Sequence, residues 1–367
     1  MGLLDHYRQF AGMSEAEVTE ELRTQAAERR RRALARIDAL DLSRTTWHEL
    51  PDPEVVNAVT FAARGALQAP PDPTAEELRR ALARRHGVEP DRVAVGHGAA
   101  QLLSSAARAL LDPGDELLVP WPSYGLYPLM AQRAGARAVP LAGGHDAEAL
   151  LAAVTPRTRA IALCNPNDPT GAHLPVEALR ALLDGLPEQV SVLLDEALGE
   201  FVTREQPGAA LALLDEHPRL LVFRTFSKAY GLAGLRCGYA LGGPGAEELL
   251  ARIAPDLGIG LLAQAGALEA LEACEAQVAG RRATVAAERE RLVEALHELP
   301  FDAAPSEANV VWLRSLRHSG AELAERLRRA GVLVMAGELV GDEHHVRAAI
   351  QSAAATERLL DALRNAA

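Results

Sequence analysis

The chain is 367 residues long, 49% hydrophobic and 24% charged, a composition that suits a globular protein with room for a large core and two domains. Its 50 acidic residues outnumber 38 basic ones, for a formal net charge of −12, which excludes nucleic acid as a main partner because phosphate backbones demand a basic face. The N-terminus MGLLDHYRQF is charged too early for a signal peptide, and no apolar run approaches membrane-spanning length.

In chain order, residues 14–39 read as a helix, with Ser14 and Glu17 offering a capping box. This helix forms an N-terminal arm (residues 1–50), and its arginine run 29–32 reads as a solvated face. Prolines at 51, 53, 70, 71 and 73 punctuate the approach to the core. Thr74 and Glu77 suggest a second capping box, opening a helix that ends near Gly87. From Arg92 to about Tyr239, within a large domain of residues 51–255, short apolar strands alternate with amphipathic helices. The strand candidates are Arg92–Val95, Glu116–Val119, Ala138–Leu141, Arg159–Cys164, Val190–Leu194 and Leu220–Phe223. The alternation predicts an α/β fold, a mostly parallel sheet flanked by helices, with ligands gathering at the carboxyl ends of the strands. Residues 256–367 change pattern. A long helix over about 276–299 precedes short strands near 310–313, 332–334 and 345–350, which predicts a smaller α+β domain. Cys164, Cys237 and Cys274 match no metal or disulfide framework and read as reduced thiols in a cytoplasmic protein.

Lys228 is the only lysine among 38 Lys plus Arg, so 37 basic residues are arginine. A chain that uses arginine for every ordinary charge retains lysine for chemistry a guanidinium cannot do, namely losing a proton and attacking a carbonyl. An apolar strand leads into the hydroxyls of Thr225 and Ser227, and a Gly-rich segment runs on to Arg236. Hydroxyls and an arginine beside a reactive amine point to a phosphate-bearing aldehyde, pyridoxal 5'-phosphate.

The segment Ser227-Lys228-Ala229-Tyr230-Gly231-Leu232-Ala233-Gly234-Leu235-Arg236-Cys237-Gly238-Tyr239 resembles the cofactor-lysine segment of class I/II pyridoxal-phosphate aminotransferases, closest to the histidinol-phosphate aminotransferase branch. The resemblance implies that Lys228 bonds the cofactor aldehyde, with Ser227 and Arg236 on its phosphate. It also implies a homodimer with sites at the interface, and an amino donor and a keto-acid acceptor as substrates. Gly96-His97-Gly98-Ala99-Ala100-Gln101 lies between a strand and a helix. Alone it is a weak motif that lacks the third glycine of a dinucleotide fingerprint, but it matches the family's phosphate turn. The Gly98, Ala99 and Ala100 backbone would therefore meet the phosphate. Tyr124, in Pro122-Ser123-Tyr124, matches the aromatic residue stacked on the pyridine ring. Asp195, in Asp195-Glu196-Ala197, ends an apolar strand, where a carboxylate is costly unless partnered; it matches the partner of the ring nitrogen. Competing assignments are packing for Tyr124 and a helix N-cap for Asp195.

Asn165-Pro166-Asn167-Asp168-Pro169-Thr170-Gly171 resembles the family's N-P-N-N-P-T-G loop with one departure. Asp168 stands where an asparagine donates to the cofactor's 3-oxygen, and Leu198 replaces the tyrosine that serves the same atom. A carboxylate beside that oxygen is a like-charge pair. The family's N-E-N motif is absent near Thr45, its dimer-donated tyrosine is replaced at Pro70, and Met335 stands for an arginine associated with the distal substrate group. Arg347, in His345-Val346-Arg347, matches the arginine that binds the substrate α-carboxylate, with a structural salt bridge as its alternative. The expected activity is transamination of a substrate other than histidinol phosphate. A decarboxylase or lyase on the same cofactor is the rival enzyme. A non-catalytic cofactor-binding regulator is the rival of another class, disfavoured because no basic helix-turn-helix precedes Thr45.

Overall fold

In the computed structural model the described residues are 39–367, with Thr24 alone before them. Of the helix expected over 14–39, Thr24 is helical and residue 39 is not, and the remainder, with its capping box and arginine run, lies outside the described residues. The chain enters with β1 (Leu40–Asp41), α1 (Pro53–Ala66) and α2 (Glu76–His86). The capping box expected from Thr74 and Glu77 does not form. Asp72 does that work instead, its carboxylate accepting from the Thr74 amide at 2.9 Å and the Glu76 amide at 2.7 Å. A carboxylate offers two strong acceptors to the free amides of a helix start and outcompetes a hydroxyl.

The main sheet is built from β2 (Val93–Gly96), β3 (Glu116–Trp121), β4 (Arg137–Ala142), β5 (Thr158–Cys164), β6 (Ser191–Asp195), β7 (Leu220–Thr225) and β8 (Gly238–Gly242). The first six were legible in the sequence. Their order across the sheet is β2-β8-β7-β6-β5-β3-β4, with β8 antiparallel to both its neighbours and the other pairs parallel. The apolar runs of β5, β6 and β7 come from burial on both faces. Ile161, Leu163, Val192, Leu194 and Val222 pack into one core, and Ala160, Ala162, Leu193, Leu221 and Phe223 into the other, the period-2 alternation of a strand. Pro140, which cannot donate to a ladder, sits in the edge strand β4. The connecting helices α3 (Ala99–Leu110), α4 (Leu126–Arg133), α5 (Ala147–Ala153), α6 (Val176–Gly185) and α7 (Glu247–Ile253) cover the sheet.

Helices α8 (Leu261–Ala273) and α9 (Glu275–Leu296) lead to β9 (Phe301–Ala303), β10 (Val310–Ser315), α10 (Gly320–Arg329), β11 (Val332–Leu333), β12 (Met335–Ala336), β13 (His345–Ala349) and α11 (Ala353–Ala366). A second, antiparallel sheet has the order β12-β13-β10-β9. The strand expected at 332–334 divides: β11 pairs in parallel with β1, and β12 pairs with β13. The Ala349 amide also donates to the Leu42 carbonyl at 2.8 Å. The segment after residue 39 is thereby fastened to the C-terminal part of the chain. Among the described residues no helix is long and apolar enough to cross a membrane.

Candidate active site

A cleft of about 140 Å³ opens where β2, β5, β6 and β7 end, and its lining includes Ala99, Ala100, Tyr124, Asp168, Asp195, Thr225, Ser227, Lys228 and Arg236. Nine residues that the sequence singled out from separate motifs therefore meet in one place. Thr46, Cys164, Ala197, Leu198 and Ala233 complete the wall.

One end of the cleft gathers donors. Gly98 takes φ +81°, and a Cβ there would lie 2.7 Å from Nη2 of Arg236, so only glycine brings the backbone this close to the guanidinium. The chain turns directly into α3, whose first amides have no partner in the preceding turn. A Cβ at Gly238 would lie 2.4 Å from the Ala99 amide nitrogen, so β8 is packed against the same helix start. Arg236 itself holds the left-handed region at φ +53°, a conformation that costs a non-glycine residue about 1 kcal/mol or more. Its Nη1 donates to the Ser227 hydroxyl at 3.3 Å and to the Ala233 carbonyl at 3.2 Å. The hydroxyl of Thr225 donates to that of Ser227 at 3.0 Å. Amides, two hydroxyls and a guanidinium converge here, a donor set suited to a phosphate dianion.

The other end carries a buried acid. Asp195 is 3% exposed at the end of β6, and burial pushes its carboxyl up from 3.8 to about 6. Tyr127 donates to its Oδ2 at 2.9 Å, and the Ala197 amide to its Oδ1 at 3.0 Å. Tyr127 was not singled out in the sequence, and its only signal was a place three residues after Tyr124, in the first turn of α4. Tyr124 is 42% exposed and meets Tyr127 edge-on, the ring centroids 5.8 Å apart.

Between these ends stands Lys228. Burial lowers the pKa of its amine, opposed first by the nearby Asp168 carboxylate. Its Nζ donates to the hydroxyl of Thr45, a buried residue whose carbonyl accepts from Asn309 at 3.0 Å. Thr45 lies where the family's N-E-N motif was missed, and it reaches the lysine through a different side chain. Arg281 donates to the Ala229 carbonyl at 2.7 Å while its guanidinium lies 5.0 Å from the Trp47 ring centroid. The lysine segment and the residues around Trp47 are thus held by one side chain. Glu196 and Arg224, both buried, form a two-point ion pair at 2.9 and 2.6 Å that ties the end of β6 to the end of β7.

The loop after β5 is shaped by its asparagines. Asn165 exchanges hydrogen bonds with the Leu174 backbone at 2.9 and 2.7 Å. Asn167 donates to the Pro122 carbonyl at 2.9 Å and accepts from Ser123 at 2.7 Å, which fixes the position of Tyr124. Asp168 faces the cleft, and Nη1 of Arg347 donates to it. The like-charge conflict expected for this aspartate is therefore met by a cation that the sequence had assigned to substrate. Arg347 lies behind Asp168 in β13, is 8% exposed and is absent from the residues that line the cleft. Its structural salt bridge is present.

Cys164, Cys237 and Cys274 are free and buried. No cluster of three or more His, Cys, Asp and Glu with the geometry of a metal site occurs among the described residues.

A parallel-sheet α/β protein with a buried lysine, a buried acid and a phosphate cradle at the strand ends has the layout of a fold-type-I aminotransferase. The chain superposes on the crystal structure of histidinol-phosphate aminotransferase from Sinorhizobium meliloti in complex with pyridoxal-5'-phosphate with a TM-score of 0.81 and 27% identity, over 93% of this chain and 95% of that one. The family described as "Aminotransferase class I and II" matches residues 19–365, and this chain belongs to it: it is a transaminase. An aromatic amino acid aminotransferase of Corynebacterium efficiens is 39% identical over 330 residues, 89% of this chain and 92% of that protein. Histidinol-phosphate aminotransferase 1 of Nitrosococcus oceani is 37% identical over 303 residues, 82% of this chain and 81% of that protein.

Proposed function

We propose that this aminotransferase seats pyridoxal 5'-phosphate in the cleft and moves the amino group of an aromatic or similarly apolar amino acid to a keto acid. The donor set carries the cofactor reading. The amides after Gly98, including those of Ala99 and Ala100, suit a phosphate together with Thr225, Ser227 and Arg236, while Asp195 suits a cationic ring nitrogen at the opposite end. Bound there, the cofactor would supply an aldehyde carbon to capture an amine and an electron-withdrawing ring. The residues of this chain do the rest. Lys228, its pKa lowered by burial, gives up its proton more readily than a surface lysine and can act as nucleophile and then as the base at the substrate Cα. The Thr45 hydroxyl holds Nζ in place. Asp195, braced by Tyr127 and the Ala197 amide, would hold the ring nitrogen of the bound cofactor in its protonated form. Tyr124 would cover a ring face, and Arg347, behind Asp168, would take the α-carboxylate.

The aromatic or apolar preference rests on the wall and on the relatives. Leu198, Ala197 and Thr46 line the cleft, and among the described residues Arg236 is the only arginine on its lining. Met335 stands opposite Arg347 in the β12–β13 register, which leaves a distal phosphate without the expected guanidinium. The relative from Corynebacterium efficiens is named for aromatic amino acids. Steady-state kcat/KM over a panel of donors tests this reading. Phenylalanine or tyrosine should exceed histidinol phosphate by roughly a hundredfold, since losing a charged partner for a phosphate costs about 2–3 kcal/mol. Preference for histidinol phosphate would overturn it.

Exposed Leu50, Phe61, Leu67 and Leu257 support a homodimer, because large apolar side chains left in water favour burial against a partner; sedimentation would check it. Three free, buried thiols suit a reducing cytoplasmic compartment. In this reading residues 51–255 carry the cofactor, and of the N-terminal arm the described residues 39–50 pack with the smaller part, 256–367.

A further inference from the structure

The arginine proposed to receive the substrate carboxylate already holds one. Nη1 of Arg347 donates to Oδ1 of Asp168, and Nη2 donates to the Ser43 carbonyl. Both partners of the ion pair are shielded, the side chains being 9% exposed for Arg347 and 13% for Asp168. The Arg347 Nε is buried with no hydrogen-bond partner, so the guanidinium is oriented by two contacts but not saturated. Asp168 is in turn placed by its loop: its amide donates to the Cys164 sulfur at 3.4 Å, and the flanking Asn165 and Asn167 are locked to the backbone. An asparagine in this position could touch Arg347 but could not neutralise it, because an amide carries no charge.

We infer that Asp168 is a specificity-determining residue, an internal carboxylate that competes with the substrate carboxylate for Arg347. The inference rests on the proposed role of Arg347 and deepens it. A second carboxylate reaching the same guanidinium must displace Asp168 or share the cation with it, and two carboxylates on one cation repel. The site therefore draws little affinity from the α-carboxylate, and discrimination passes to the side chain of the substrate against Leu198 and Tyr124. Such an arrangement tolerates amines whose carboxylate is poorly placed, and it resists inhibition by simple carboxylic acids.

Calorimetric titration of the cofactor-loaded protein with 3-phenylpropionate, an unreactive carboxylate, tests this without turnover. Asp168→Asn should bind it at least about tenfold more tightly than the parent, because the whole guanidinium charge becomes available. Asp168→Ser should change in the same direction, which guards against a misfolded single variant. The neutral 3-phenylpropionamide should bind parent and variants alike. Arg347→Met should abolish the gain from Asp168→Asn. If both Asp168 variants bind 3-phenylpropionate no better than the parent while Arg347→Met loses binding, the competition is refuted and the Arg347 clamp stands. If the amide tightens as much as the acid, the variants merely open space and the competition is again refuted. If adding Arg347→Met to Asp168→Asn leaves the acid bound as tightly as in Asp168→Asn alone, the clamp itself is wrong, and the inference falls with it.

Discussion

The hydroxyl of Tyr127 donates to Asp195 across 2.9 Å, and the tyrosine is wholly buried. The bond joins a helix residue to a strand end 68 positions away, and it supports a carboxylate that burial would otherwise drive towards its neutral form. Tyr127→Phe should keep the fold, push the Asp195 carboxyl further up and weaken cofactor binding. The loss of one charge-assisted hydrogen bond amounts to roughly 1–3 kcal/mol, or about five- to 150-fold in the dissociation constant. Equilibrium dialysis against pyridoxal phosphate measures it; unchanged affinity would assign Tyr127 to packing alone.

Asp195 also sets a pH dependence. Its carboxyl is raised from 3.8 to about 6, so the folded chain holds this proton more tightly than the unfolded one. The contribution to stability is therefore complete below pH 3.8 and is lost as pH rises through about 6. In cofactor-free protein, Asp195→Asn should match its parent near pH 4 and exceed it in stability near pH 7 by roughly 3 kcal/mol. Urea unfolding at both pH values checks this, and parallel stability across the range would refute it.

Lys228 should carry the cofactor alone. Borohydride reduction of the loaded enzyme should mark a single peptide containing residue 228. Lys228→Arg should fold, retain the cofactor only noncovalently, and lose transamination by several orders of magnitude, since arginine stays protonated. Label on another peptide, or a fully active arginine variant, would sink the assignment.

Thr45 is the lysine's hydrogen-bond partner. Thr45→Val, of similar shape, should leave stability within about 1 kcal/mol while lowering kcat more than it alters KM, because the amine loses its fixed position but the substrate contacts persist. Thr45→Ser should restore the rate. A rise in KM at constant kcat would place Thr45 in substrate binding instead.

Glu196 and Arg224 form a buried pair with side chains 7% exposed on both sides, and Glu200 lies 3.7 Å from the same guanidinium. Glu196→Gln should destabilise the enzyme by about 3 kcal/mol, since it leaves a buried cation with one distant partner. A thermal melt reads this directly. An unchanged melting temperature would mean that Glu200 alone compensates Arg224.

The sequence by itself determined the residues of the proposed cofactor seat. Gly98, Asp195, Ser227 and Lys228 are set by short local patterns, an apolar strand and then within a few residues a chemically distinctive one, and Arg236 closes the Gly-rich segment that follows Lys228. Parallel strands deliver the residues at their carboxyl ends to the same edge of the sheet. Uninterrupted apolar runs in β5, β6 and β7 mark strands buried on both faces. Strand β8 was not foreseen, because nothing in Gly238–Gly242 encodes that it runs antiparallel between β2 and β7. Only the tertiary structure decided the partners. Thr45 meets Lys228 across 183 positions and Arg347 meets Asp168 across 179. The first joins the N-terminal segment to the main sheet, and the second joins β13 to the loop after β5. Such pairs depend on how separate sheets pack, and on which donor and acceptor are left facing each other once the apolar faces are buried. No local periodicity records that, so an aspartate read as a neighbour of the cofactor's oxygen proved to be the partner of an arginine assigned to substrate.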